Sequence, residues 1–391
     1  MNKTLKQLLK RTPIAWLQIT HNPVKMLIAL AGVSFSNLLM FFQLGLLDGL
    51  YNSQRKPIDR MQADLIMVSA KYSKLGALQD FQRSRLYQVL GVEGVQYVSP
   101  LRIARGSWIN PETRKSYDIY IFGVNLAYPS FDFPALEQGY SRLQPLRAAF
   151  YDRQSKKQYG DITGTLARSG LFLTEINGKQ IKVVDTFEMG TTFTADANLI
   201  TSDNTLLYLF PDLDPNKIQL GLIQLKPGVS PQRAKATMQS LLTEDVMVVT
   251  KQELSQLELN YWKKNSSVGF IFSLGVLVGF IVGSIIVYQI LYGDVMNSLP
   301  QYATLKAMGY TDRFVISVVI QQSAIFALIG FIPGLAISLG LYYLLATVTK
   351  LAIYMTVVRA IQVLILTFIM CVGSGTLATK KLIQLDPADV F

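Results

Sequence analysis

Four long apolar stretches constrain this chain more than any other feature, because each is too long and too poor in charge to be hidden in a water-soluble core. An apolar helix of about 20 residues, rising about 1.5 Å per residue, crosses a hydrocarbon layer of about 30 Å. Such stretches run from Met26 to Leu47, Val268 to Leu291, Phe314 to Val348 and Val357 to Ala378. None holds an acidic residue, and Arg359 lies near an end, where it is expected to snorkel towards headgroups. The first stretch follows basic residues, as a secretory leader does. It is longer than the roughly 7–15 apolar residues of a leader, and no small-x-small cleavage site follows in GLLDGLYNSQ, so it is expected to be retained. The third carries Gly330 and Pro333-Gly334, and a proline removes a backbone donor, so a kink or break is expected there.

Charge sets the orientation. The chain has 37 Lys and Arg against 26 Asp and Glu, a net +11, with only 16% of residues charged and 50% apolar. Lys3, Lys6, Lys10, Arg11 and Lys25 precede the first span with no acid among them. That is the flank expected on the cytoplasmic side. Trp16 alone is interleaved among these basic residues, too little for base stacking, so a nucleic-acid arm is not expected. Four crossings put both termini in the cytoplasm, and Lys380 and Lys381 agree, while Lys350 in the short outer connection is a mild exception. The expected organisation is a cytoplasmic segment 1–25, spans at 26–48, 266–292, 314–348 and 357–379, an inner segment 293–313, an outer loop 349–356 and a cytoplasmic tail 380–391. Residues 49–265 then form a large outer domain of the inner (plasma) membrane protein.

That domain reads as α+β. Near its start, ADLIMVSA has the pattern of a strand, DFQRSRLYQVL of an amphipathic helix and GVQYVSPLRIARGSWI of one or two strands. Near its end, KIQLGLIQLK, SPQRAKATMQSLL and DVMVVT repeat strand, helix and strand, with Ser230 as cap before Pro231. The two β-α-β halves, 61–124 and 217–250, are expected to interleave as in a ferredoxin-like porter domain. Residues 125–216, rich in Gly, Pro, Tyr and Phe, read as a mostly β inserted subdomain. Residues 251–265 read as a stalk helix with Leu254, Leu257 and Tyr261 on one face. The first helix is expected to extend past Leu50 towards Met61, with Pro57 bending it.

Several chemistries find no material. Cys371 and His21 are the sole residues of their kinds, which excludes an internal disulfide and a His/Cys metal site. No phosphate loop G-x-x-x-x-G-K-[ST] occurs. Asp212, Asp214 and Asn216 imitate the start of a calcium loop, but Lys217 stands where glycine is required and no glutamate closes it. No catalytic, cofactor or metal residue is therefore expected. Within the spans, Ser34, Ser36, Asn37, Gln43, Gln321, Gln322 and Ser323 are suited to hydrogen bonds between helices. Gly275, Gly279 and Gly283 recur every fourth residue as a small-residue packing seam, within the subunit or across a dimer.

The inner segment YGDVMNSLPQYATLKAMGYTDR opens a helix at Asn297-Ser298 before Pro300, with Tyr302, Leu305, Met308 and Gly309 on one side. A short amphipathic helix joined to two spans is suited to docking on a partner and passing on its movement. Residues 301–325, QYATLKAMGYTDRFVISVVIQQSAI, closely resemble the signature of the FtsX-like/MacB-like permease family, where E-x-x-T-L-K-A-x-G opens the third span. Gln301 stands where that family often has Glu. LIQLDPADVF resembles the family's cytoplasmic tail, and the opening TPIAWLQITHNPVKMLIALAGVSFSNLLMFFQLGLLDGLYNS is similar to the cyanobacterial DevC branch.

The resemblance implies a homodimeric permease of a mechanotransmission exporter, moving glycolipid or another amphiphile outwards. Its implied partners are a separate ATPase subunit that binds ATP and Mg, a periplasmic adaptor (membrane fusion protein) and an outer-membrane channel of the TolC type. Tyr302, Thr304, Leu305, Lys306, Met308, Gly309 and Tyr310 would form the ATPase contact, supported by Asp386 and Pro387. Alternatives with the same architecture are an FtsX-type signal transducer that activates a periplasmic hydrolase, and a lipoprotein-releasing permease.

Overall fold

The computed structural model describes residues 14–349, 351 and 353–383. In chain order the elements begin with helices α1 (Ile14–His21) and α2 (Pro23–Asp59), strand β1 (Leu65–Ser69), strand β2 (Phe81–Gln82) and helix α3 (Arg83–Gln88). Strands β3 (Val95–Ile109) and β4 (Ser116–Val124), helix α4 (Pro134–Gly139), strand β5 (Ala148–Asp152), helix α5 (Ile162–Ser169) and strands β6 (Phe172–Ile176), β7 (Lys179–Phe187) and β8 (Asn198–Ser202) follow. Then come helix α6 (Asp203–Leu209), strands β9 (Lys217–Ile218) and β10 (Leu220–Leu225), helix α7 (Pro231–Leu241) and strand β11 (Val246–Thr250). The chain ends with helices α8 (Lys251–Asn265), α9 (Ser267–Asn297), α10 (Leu299–Ala307), α11 (Asp312–Thr349) and α12 (Val357–Ile383). It divides into a helical unit, Met1–Asp48 with Ser267–Ala346 and Ile353–Phe391, and a sheet unit, Gly49–Ser266 with Thr347–Ala352.

Among the described residues, four helices are long and apolar enough to cross a membrane: Pro23–Asp59, Ser267–Asn297, Ile316–Thr349 and Val357–Thr379. In the helical unit α2 is packed between neighbours at positions without side chains. A Cβ on Gly279 would stand 3.3 Å from Leu39 Cβ, and one on Gly275 would stand 2.5 Å from Gln43 Cδ. The seam on α9 thus receives α2 of the same chain. Across the other side, Gly330 and Gly334 of α11 meet Val33 and Asn37. Such close backbone approach brings the few polar side chains of α2 into reach of carbonyls, which apolar surroundings leave unpaired otherwise. Ser36 Oγ donates to Gly279 O at 2.6 Å, and Ser34 Oγ to Gly330 O at 3.0 Å.

Neither proline breaks its helix. α11 runs through Pro333 and α2 through Pro57. Near Pro333, which leaves the Ile329 carbonyl without its helix donor, α2 supplies donors to the neighbouring Gly330 carbonyl, from Ser34 and, at 3.5 Å, from Asn37 Nδ2.

The sheet unit is built on one nine-stranded sheet in the order β11-β1-β10-β3-β4-β8-β5-β7-β6. Its first four strands interleave the two β-α-β halves, all antiparallel. Leu86 of α3 and Ala234 and Met238 of α7 share one core with Leu65, Met67, Ile223, Val246 and Val248, so both helices cover the same face. Ile66, Val68, Leu220 and Leu222 point to the other face, where Leu254 of α8 joins them. Period-two alternation fixes this division between faces.

The β-rich insertion is not a separate body, and this corrects the boundary drawn at residue 125. β3 is a single strand, and its start (Val95–Leu101) pairs with β10 while its remainder (Leu101–Ile109) pairs with β4. β4 continues into β8 in parallel, and β6 returns to β3 at Trp108 and Ile109. Strands β3, β4, β8, β5, β7 and β6 therefore close on themselves. Trp108, Ile121, Tyr151, Phe172, Val183 and Leu199 lie in the core they share. At the changeover, buried Arg102 holds Asp203, the Lys217 carbonyl at 3.0 Å and the Pro215 carbonyl at 2.5 Å. One guanidinium thus ties the insertion's α6 to the return into β10.

Local chemistry also differs from expectation at two helix starts. Ser230 precedes α7 but its hydroxyl makes no capping bond. α8 instead carries a full capping box, Thr250 with Glu253. The buried face of α8 is Leu254, Ser255, Glu258 and Trp262, whereas Leu257 is exposed, so the expected face through Leu254, Leu257 and Tyr261 is rotated. The cause is Glu258. Its carboxylate accepts from Tyr72 Oη at 2.7 Å, Leu75 N at 2.8 Å and Trp262 Nε1 at 2.9 Å, which turns a charged residue inwards.

Two outcomes follow. Trp108 is fully buried and its Nε1 donates to Tyr159 O at 3.1 Å, so Trp108→Ala is expected to destabilise the sheet unit by about 3–5 kcal/mol, read from denaturant unfolding. Burial holds the Glu258 carboxyl above its ordinary 4.5, so its ionisation opposes folding. The contribution is fully present below 4.5 and is lost as pH rises through the raised value. The stability of the protein relative to Glu258→Gln is expected to fall across that window, and a pH-independent difference in melting temperature would contradict it.

Candidate coupling site in the helical unit

The connection between α9 and α11 is a short helix held on one side and open on the other. α10 starts directly after α9, with Pro300 in its first turn, where a missing donor costs nothing. Tyr302 N bonds Ser298 O at 3.0 Å, and Met308 N bonds Thr304 O at 3.0 Å, carrying the turn to its end. Gly309 then adopts φ +92, a conformation that side chains resist, and so ends the helix.

Tyr302 anchors this helix. It is buried with Ile19 of α1, Val295 of α9 and Val319 of α11. Gln18 Oε1 accepts from Gln322 Nε2 at 2.8 Å and lies 3.4 Å from Tyr302 Oη. A single amide thus joins α1, α10 and α11. Beside it, Lys25 at the start of α2 pairs with Asp294 near the end of α9 at 3.2 Å. Both groups are partly exposed, so this pair contributes little stability and mainly sets position.

The open side carries Met308, 64% exposed, and Tyr310, 46% exposed, whose ring lies 4.8 Å from that of Phe314. Thr304 is exposed, its hydroxyl bonded to Pro300 O at 2.9 Å. Tyr302 faces inwards and Met308 outwards, so the expected single side through Tyr302, Met308 and Gly309 is not what forms. Leu305 and Lys306 belong to α10, and Asp386 and Pro387 lie outside the described residues.

Deeper in the bundle is a polar line that the sequence pattern hid. Asn37 Oδ1 accepts from Thr367 Oγ1 at 2.5 Å, joining α2 to α12, while Ser374 Oγ donates to Ser284 O at 2.9 Å, joining α12 to α9. A Cβ on Gly283 would stand 2.3 Å from both Met370 Sδ and Ser36 Oγ, so this glycine lies where three helices meet.

Arg359 does not snorkel. It is 3% exposed and bonded to Asp48, which stands one residue beyond the first apolar run, and its Nη1 donates to Tyr354 O at 2.8 Å. The guanidinium also lies 5.5 Å from the centre of the Tyr342 ring, and Tyr342 Oη bonds Phe41 O. The separation of 311 residues between the partners is why neither charge announced the other. Asp48 is half exposed, but removing it strands the buried Arg359 guanidinium. Asp48→Ala is expected to lower the melting temperature, and Arg359→Leu in the same chain to recover part of the loss. Additive losses in the double variant would show that the pair is not coupled.

Residues 269–387 match the family model described as FtsX-like permease C-terminal, a stretch that contains α10, α11, α12 and most of α9. No curated protein matches the chain. Among solved structures, the periplasmic region of MacB from Actinobacillus actinomycetemcomitans is 13% identical, with a TM-score of 0.37, over 50% of this chain and 92% of that one. The extracellular domain of the noncanonic ABC-type transporter YknZ from Gram-positive bacteria is 14% identical, with a TM-score of 0.32, over 48% of this chain and 99% of that one.

Proposed function

We propose that this chain is the permease subunit of an ATP-driven exporter and takes its ATPase from a separate subunit that docks on α10. The observation that carries the reading is the FtsX-like match over residues 269–387, the stretch in which a buried anchor and an exposed edge share one short helix. Tyr302 ties α10 to α1 and α11 through Gln18, so a push on α10 is passed to the spans. Thr304, Met308 and Tyr310 offer the partner one hydroxyl and two apolar groups, with Leu305, Lys306 and Gly309 completing the contact and Asp386 and Pro387 supporting it.

In this reading the termini and α10 lie in the cytoplasm and the sheet unit in the periplasm. The order β11-β1-β10-β3 is in keeping with a ferredoxin-like porter fold. Two copies act together, an adaptor and an outer-membrane channel of the TolC type receive the cargo, and that cargo is a glycolipid or another amphiphile, as for the DevC branch. Gly275, Gly279 and Gly283 hold α9 and α2 as one moving body, and α8 serves as a stalk. ATP and Mg are bound by the partner, and this chain is a transport permease without an ATPase site of its own.

The test is copurification. The double variant Met308→Asp, Tyr310→Asp is expected to reach the membrane at wild-type yield while a coexpressed ATPase subunit that copurifies with the wild-type chain no longer does so. Retention of that subunit at the wild-type ratio would falsify the assignment of α10.

A further inference from the structure

The loop between β7 and β8 belongs to the sheet unit, yet it is fastened to three segments that adjoin apolar helices. Phe193 N donates to Ser53 Oγ at 3.2 Å, and Thr194 Oγ1 bonds Gln54 Oε1 at 3.3 Å, a few residues after the first span. Thr191 Oγ1 bonds Thr349 O at 3.4 Å, at the end of the third. The Phe193 ring stands 5.7 Å from that of Trp262 at 90°, five residues before the second span helix begins at Ser267.

The loop is rigidly made. Buried Asp152 accepts from Met189 N at 3.1 Å and Gly190 N at 2.8 Å, and Asn198 Nδ2 joins Asp152 Oδ2 at 2.9 Å to Gly190 O at 3.0 Å. Gly190 has φ +88, and a Cβ there would stand 2.7 Å from Lys56 Nζ, so the turn requires glycine.

This rigid loop spends its support on exposing an aromatic ring. Phe193 is 47% exposed at the tip. Around it, Tyr261 touches Trp262 at 5.8 Å, and Lys74 Nζ lies 5.0 Å and 5.3 Å from the centres of the Tyr261 and Trp262 rings. Lys263 and Lys264 are exposed on the last turn of α8. Trp262 is aimed by its bond to Glu258. Aromatic rings with cationic side chains, within a turn or two of where a span starts, are the composition of a membrane interface.

We propose that Phe193 and Tyr261, backed by the buried Trp262 ring and flanked by Lys74, Lys263 and Lys264, form a foot of the sheet unit that rests in the lipid headgroup layer, Phe193 reaching the acyl boundary. Chain continuity selects this occupant: only four residues, Lys263–Ser266, separate Trp262 from Ser267, where the second span helix begins. The cationic groups suit anionic headgroups. The foot gives the sheet unit a footing on lipid in addition to its covalent connections. The inference rests on the reading of the apolar helices as membrane spans.

The experiment places one nitroxide at a time on the full-length protein in vesicles of phosphatidylethanolamine and phosphatidylglycerol. The background is Cys371→Ala, which removes the sole cysteine. Labels at Phe193→Cys and, as a second site, Lys264→Cys are compared with Ile281→Cys on the exposed face of α9 and Gln252→Cys in the first turn of α8. Relaxation by oxygen, which concentrates in lipid, is set against relaxation by a water-soluble nickel chelate. At residue 193 the oxygen-to-nickel ratio is expected to exceed that at 252 several-fold and to lie below that at 281, with 264 between 252 and 193. A ratio at 193 equal to that at 252 overturns the proposal. So does exclusion of both reagents at 193, which would instead mark contact with a second copy or another protein. An aqueous ratio at 281 would refute the span reading itself, and so separates the two failures.

Discussion

In the helical unit everything depends on how near α2 comes to its neighbours. Hydrocarbon offers no partner to a polar atom, so Ser34, Ser36 and Asn37 have to find carbonyls or side chains on other helices. They find them because glycines at 279, 283, 330 and 334 remove the side chains that would hold the backbones apart. Packing and hydrogen bonding are therefore one arrangement and cannot be changed separately: a larger residue at Gly283 would displace Ser36 from Gly279 O as well as Met370. Three helices are fixed against α2 in this way, and α1 and α10 join the bundle at one end through Gln18 and Tyr302.

Much of this was legible in the sequence because long-range order was not needed to read it. Twenty apolar residues specify a crossing wherever they occur, and a G-x-x-x-G-x-x-x-G seam specifies close approach without naming the partner. What was not legible depended on residues far apart in the chain. Arg359 was read as an end residue that escapes to headgroups, because Asp48 fell just outside the apolar run. Glu258 gave no signal of its burial, because Tyr72 and Leu75, which turn it inwards, lie more than 180 residues earlier. Met308 and Tyr302 were placed on one side of α10 by spacing alone, while the burial of Tyr302 against α1 separates them.

The boundary at residue 125 was misplaced for a different reason. Strand pattern locates strands but does not say where pairing changes partner along one of them. β3 changes partner at Leu101, directly after Ser99 and Pro100, yet it runs through that proline as one strand. The proline and the charged Arg102 that flank Leu101 were the available signals.

The length of β3 has a consequence for how the sheet unit came to be built and how it comes apart. An insertion joined by two loops can be lost or exchanged, leaving its host intact. Here the inserted strands lean on β4 and on the far end of a strand whose first half belongs to the host, so deleting them would leave β4, and β3 at Trp108 and Ile109, as bare edges open to pairing with any other chain. The two parts are accordingly one cooperative block, and amides at either end of β3 are to be expected to exchange with solvent through the same opening event.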